Sequence, residues 1–137
     1  IDTLNATITA AVTPATGAIT SVENLNVTGI GAVTVDFSSA TADFITGVTN
    51  ITNMASANTM TFNNVTGLAE ITVNNTTAAT VVEFKDALLA GTEDTVTLNL
   101  IGAGAAVTVG SQADADGDYE TLVINASGAA SDLEAER

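Results

Sequence analysis

The side chains of this chain with the most chemical potential are its carboxylates. Asp114, Asp116, Asp118 and Glu120 stand at alternate positions, with Gly117 among them. Acids spaced this way around a glycine can share a tight loop and converge their oxygens, and Ca2+ takes roughly 6–8 such hard oxygen ligands in a flexible setting. The segment departs from an EF-hand loop, because the glycine is fourth and not sixth and Asn125 stands where the twelfth-position acid would be. A second grouping, Glu93 and Asp94 after Gly91, either completes a site with Asp86 or is a plain turn leading into the run around Val96. Asp36, Asp43 and Glu23 read as solvated acids beside loops or on an outer strand face.

Other chemistry is excluded by what the chain lacks. It has 137 residues with no His, Cys or Trp. Imidazole bases, thiol nucleophiles and His/Cys metal centres are therefore absent. Lys85 and Arg137 are the only cations against 16 acids, for a formal charge of −14. Such a chain cannot neutralise a phosphate backbone, so nucleic acid is not an expected partner. Paired carboxylates can hydrolyse glycosides, but that reaction uses an aromatic sugar platform. The 4 Phe and 1 Tyr here fall mostly on alternating core positions, so no enzymatic activity is expected. No apolar run approaches the roughly 18 residues of a membrane span.

The elements that carry these acids read as short strands. Ala6, Ile8, Ala10 and Val12 alternate with polar or small residues, as do Val33, Val35 and Phe37. Met60 and Phe62, then Ala69, Ile71 and Val73, then Val96, Leu98 and Leu100 continue the pattern. Ala105, Val107 and Val109 follow, then Leu122 and Ile124. Period-2 alternation places one set of side chains on a buried face, and the Gly and Asn between runs suit turns. Glu83 to Gly91 admits a short helical turn, with Phe84, Ala87 and Leu88 at helical spacing and Gly91 placed to end it.

The chain also resembles itself. Asn26-Val27-Thr28-Gly29 recurs as Asn64-Val65-Thr66-Gly67, and the segment from Val22 to Gly29 returns loosely from Tyr119 to Asn125. Units of this kind, about 20–25 residues long, indicate stacked repeats. The expected fold class is all-β: a short-strand repeat module, either a parallel β-helix (solenoid) or an antiparallel β-sandwich. Residues 1–137 are expected to form a single module. Because the chain starts at Ile1 and not Met, it reads as a fragment of a larger protein or a processed product.

The Thr/Ala/Val/Asn/Gly texture, with VENLNVTG at 22–29 and YETLVINASG at 119–128, resembles the β-strand-repeat region of bacterial surface-layer proteins and the related RTX adhesins exported by type I secretion. The Gly-rich G-G-x-G-x-D nonapeptide of those proteins does not occur here, so their calcium site transfers to no residue of this chain. The resemblance implies a β-rich, secreted, calcium-linked lattice or adhesin segment.

The expectation is thus a structural, self-assembling component of an extracellular surface layer at the cell surface. Its partners would be copies of itself and calcium ions, and Ca2+ bridging carboxylates would relieve the repulsion of the excess negative charge. Two alternatives are an adhesin module that binds a surface glycan, and a filament subunit that donates the strand Thr3–Val12, set off by Pro14. Asn-x-Ser/Thr sequons at Asn5, Asn26, Asn50, Asn64, Asn74, Asn75 and Asn125 would accept glycans in an organism with the machinery.

Overall fold

The computed structural model describes residues 1–112, 119–128 and 133–135. The strands are β1 (Thr3–Ile8), β2 (Asn24–Gly29), β3 (Val33–Asp36), β4 (Asn50–Met54), β5 (Met60–Val65), β6 (Glu70–Asn74), β7 (Thr80–Phe84), β8 (Thr95–Ile101), β9 (Val107–Ser111), β10 (Thr121–Ser127) and β11 (Leu133–Ala135). They form a six-stranded sheet in the order β1-β2-β4-β6-β8-β10 and a five-stranded sheet in the order β11-β9-β7-β5-β3. From β2 onward the chain visits the two sheets in turn, and each strand lies beside the one laid down on its previous visit. The protein is all-β, as its alternation predicts. All pairings between named strands are parallel, whereas a sandwich of hairpins would make them antiparallel.

The alternation sorts side chains into ranks. Leu4, Leu25, Ile51, Ile71, Leu98 and Ile124 lie side by side across the first sheet. In the second sheet Val35, Phe62, Val82 and Val109 do the same. Ile51, Ile71, Leu98, Phe62 and Val82 are fully buried, and removing each from water contributes roughly 1.5–3 kcal/mol. The Phe37 ring meets Phe62 edge-on, with centroids 6.4 Å apart, an arrangement favoured by the aromatic quadrupole. β-Branched residues suit this geometry because their stiff side chains stack on the pleat.

One corner repeats. The residue after each of β4, β6, β8 and β10 has positive φ: Ala55 (52°), Asn75 (52°), Gly102 (62°) and Gly128 (86°). The left-handed residue turns the chain out of the sheet while its own N–H stays in the ladder. Ala55 N donates to Asn74 O, Asn75 N to Ile101 O and Gly102 N to Ser127 O, all within 2.9 Å. A β-carbon on Gly102 would sit 2.8 Å from Asn75 Oδ1, so glycine is required there for space as well as for φ.

Some local expectations need adjusting. The helical turn over Glu83 to Gly91 is only a 3-10 turn at Asp86–Leu88. Phe84 belongs to β7 and is buried there, so strand pairing takes the residues that helical spacing would have used. At the N-terminus the strand ends at Ile8, and Ala10 is exposed. Ala103, not Ala105, is the buried alanine before β9. Among the described residues no helix is long and apolar enough to cross a membrane.

Candidate functional site

Of the acids expected to hold calcium, Asp114, Asp116 and Asp118 lie outside the described residues. Glu120 and Asp94 come together where β10 and β8 begin. Asp94 N donates to Glu120 Oε2 at 2.7 Å, while Glu120 N and Thr121 N both donate to Asp94 O. The other Asp94 contact is also to backbone, with Gly91 N donating to Oδ2 at 3.0 Å. Glu93 is exposed on the same turn, and Asp86 opens the 3-10 turn after β7. Among the described residues no three acidic side chains gather in one place.

Glu120 has a counterpart. Asp2 N donates to Glu23 Oε2 at 2.6 Å at the start of β2. Each glutamate thus reaches back to the strand start beside it and caps a backbone amide there. Glu23 and Glu120 occupy matching places in the loosely repeated segments from Val22 and from Tyr119, so this internal likeness is a structural device. The Asp2 amide, as the main cause, holds the Glu23 carboxyl below the ordinary carboxylate range, because a hydrogen bond to the charged form favours that form. Lys85 pairs with Asp43 at 2.8 Å on the surface, a contact of small energetic weight at such exposure.

The outer face of the first sheet carries amide ladders. Asn5, Asn26, Thr52, Thr72, Asn99 and Asn125 are in register. Asn26 Nδ2 donates to Asn5 Oδ1 at 2.8 Å and Asn125 Nδ2 to Asn99 Oδ1 at 2.9 Å. Asn99 Nδ2 also reaches Thr72 Oγ1 and Glu70 Oε1. One position over, Asn50 Nδ2 donates to Asn24 Oδ1 at 2.9 Å. Four of the sequon asparagines, Asn5, Asn26, Asn50 and Asn125, are thus committed to neighbouring strands.

Inside the stack is a polar network that reading Asn and Thr as outward residues misses. Asn53 is in register with Val27 and Val73 and is 1% exposed. Its Nδ2 donates to Thr80 Oγ1 at 2.7 Å across the sheets. Its Oδ1 accepts from Ser56 Oγ at 2.5 Å, and Ser56 Oγ in turn accepts from Gly29 N at 2.8 Å. The signal was present in the sequence: Asn53 lies two residues beyond Ile51, so strict alternation aims it inward.

The remaining exposed features are the ends of the first sheet. β1 and β10 are its edge strands. Neither TLNATI nor TLVINAS contains a charged residue or a proline, the devices that ordinarily block strand addition. Of the segment expected as a donated strand, Thr3–Val12, residues Thr3–Ile8 pair with β2 of their own chain. Beside β1 an apolar recess of about 70 Å3 is bounded by Leu4, Ala6, Ile8, Val12, Leu25 and Val27, among others. At the other end Ile124, whose rank is buried from Leu25 to Leu98, is 43% exposed. Two uncharged edges with open core positions can accept further parallel strands. No protein-family model, curated protein or solved structure matches the chain.

Proposed function

We propose that the chain is a structural module of an extracellular surface layer, one that assembles with copies of itself and is stabilised by calcium, and that its strands wind as a parallel β-solenoid. The observation that carries this reading is the strand order. Each visit to a sheet adds a strand beside the last, and the two outermost strands of the first sheet, β1 and β10, carry no charge. Such a stack is extended by adding units, not by closing, which suits a load-bearing array better than a catalyst. The unit-by-unit alternation of sheets and the repeated left-handed corner support the solenoid.

Calcium enters through charge. A net charge of −14 on 137 residues opposes both folding and close approach of copies. The ligands proposed are the alternating acids Asp114, Asp116 and Asp118. Glu120 keeps its structural bond to the Asp94 amide and has a second carboxylate oxygen to offer. A cation that binds the folded, assembled form stabilises it by mass action.

The test is a melting curve and a light-scattering profile in chelator and in millimolar calcium. Calcium should raise the melting temperature and promote assembly, and chelator should reverse both. The triple variant Asp114→Asn, Asp116→Asn, Asp118→Asn should lose most of the calcium-dependent shift. Identical melting curves in the two media, with monomers in both, would overturn the reading.

A further inference from the structure

We infer that the outer face of the first sheet is where two copies of this chain meet, face to face and with their strands antiparallel. The inference rests on the self-assembly reading and names the surface through which copies associate.

The face belongs mainly to β2, β4, β6 and β8, each flanked on both sides by strands of the same chain, so it does not depend on where the chain begins or ends. Its middle outward rank runs from Asn26 through Thr52 and Thr72 to Asn99.

Charge marks this face out. Glu70 is the one charged residue in the six strands of the first sheet, and its carboxylate takes Asn99 Nδ2. The five strands of the second sheet contain three acids, Asp36, Glu83 and Glu134. In a chain of net charge −14, copies approach with least repulsion through the surface that carries least charge.

The two margins of the face select the orientation. Glu23, Asp94 and Glu120 stand just before β2, β8 and β10, whereas Ile30, Ala55, Asn75 and Gly102 stand just after β2, β4, β6 and β8. Antiparallel packing lays the acidic margin of one copy on the uncharged margin of the other and keeps the two Glu70 side chains apart. Parallel packing would set acids against acids, which is penalised. The uncharged margin also exposes Met54 and Ile101, aligned through Asn74 between them, and covering such side chains is favourable.

A second copy fits this surface better than other polymers do. Sugar rings stack on exposed aromatic side chains, and here Phe37, Phe62, Phe84 and Tyr119 are buried. A phosphate backbone needs cations, and the strands of the first sheet contain none. Six strands about 4.8 Å apart and about 20 Å long present roughly 600 Å2 a copy. A face-to-face pair therefore buries about 1,200 Å2, the lower end for a stable specific contact, so association is reversible and concentration-dependent.

Sedimentation equilibrium of the 137-residue protein over a range of concentrations tests this. Thr52→Asp puts a carboxylate in the middle of the face and should weaken association about tenfold or more. Thr61→Asp, at an outward position of β5 in the second sheet, should leave it unchanged, and Glu70→Gln should tighten it. In the parent, peroxide oxidation of Met54, 39% exposed in the single chain, should slow as association proceeds, with the fully buried Met60 resistant throughout. That protection is read on the unmutated chain, so it decides the matter even where Thr52→Asp folds poorly. If the parent associates but Thr52→Asp associates as well as the parent, or Met54 still oxidises at the monomer rate, the face is wrong while self-assembly stands. If the parent remains monomeric at every concentration and calcium level, both fall, and retention of that monomer on a neutral polysaccharide would reassign the face to a glycan.

Discussion

Replacing Asn53 by valine tests whether the buried polar network fixes the phase of the stack. Valine suits the site sterically, since Val27 and Val73 flank Asn53 in the same rank. The substitution deletes the bond to Thr80 Oγ1 and the one from Ser56 Oγ. Two net hydrogen bonds are worth about 2 kcal/mol, and stranding fully buried partners adds about 1–3 kcal/mol. Thr80 is 0% and Ser56 1% exposed, so water cannot relieve them. Burying the valine methyls returns roughly 1.5–2 kcal/mol. The expected net loss is about 1–3 kcal/mol, a fall of roughly 4–12 °C in melting temperature for a domain of this size. Asn53→Val combined with Thr80→Val removes both partners of the inter-sheet bond and should recover about the half of that loss that Thr80 accounts for, because replacing both members of a pair is nearly neutral, while Ser56 Oγ stays without its acceptor. Urea unfolding of the parent, both single variants and the double variant, followed by circular dichroism, gives the coupling energy, expected to exceed about 1 kcal/mol. A single Asn53→Val variant as stable as the parent, or a double variant whose loss equals the sum of the singles, would refute the argument.

Further outcomes follow from the same geometry. Phe62→Ala removes a fully buried ring and its edge contact with Phe37, and should cost about 3–5 kcal/mol in urea unfolding. Gly102→Ala forces a β-carbon against Asn75 Oδ1 at a positive φ and should cost about 1–2 kcal/mol, whereas Asn75→Gly in the same background should return part of that by clearing the clash. Glu23 has a depressed carboxyl pKa because the Asp2 amide, first of all, bonds its charged form. Its contribution is complete above the unfolded-state value and is lost as pH falls through the lower folded value. Amide exchange in β1, corrected for intrinsic rates, should therefore accelerate on acidification below the usual carboxylate range, and Glu23→Gln should abolish that pH dependence.

Much of this architecture is written into the chain as local pattern. Alternation at Val33-Val35-Phe37, Ile71-Val73 and Val96-Leu98-Leu100 specifies strands and their buried faces, because side chains on a strand point to opposite sides at every step. Composition alone removes histidine and thiol chemistry. The likeness between the segments from Val22 and from Tyr119 marks two equivalent strand starts, where Glu23 and Glu120 cap their neighbours' amides. What tertiary structure decided is everything that depends on which strand lies beside which. Alternation is the same for parallel and antiparallel neighbours, so only the assembled sheets show that the neighbours are parallel. Asp94 and Glu120 are far apart in sequence, and adjacency of β8 and β10 brings the Glu120 carboxylate onto the Asp94 amide, while Asp94 Oδ2 accepts from Gly91 N within its own turn. Asn53 and Thr80 meet in the interior because their strands belong to facing sheets. The bonds that join Asn26 to Asn5 and Asn125 to Asn99 exist only as consequences of strand order, since a hydrogen-bonding direction has no meaning until the neighbours are in place.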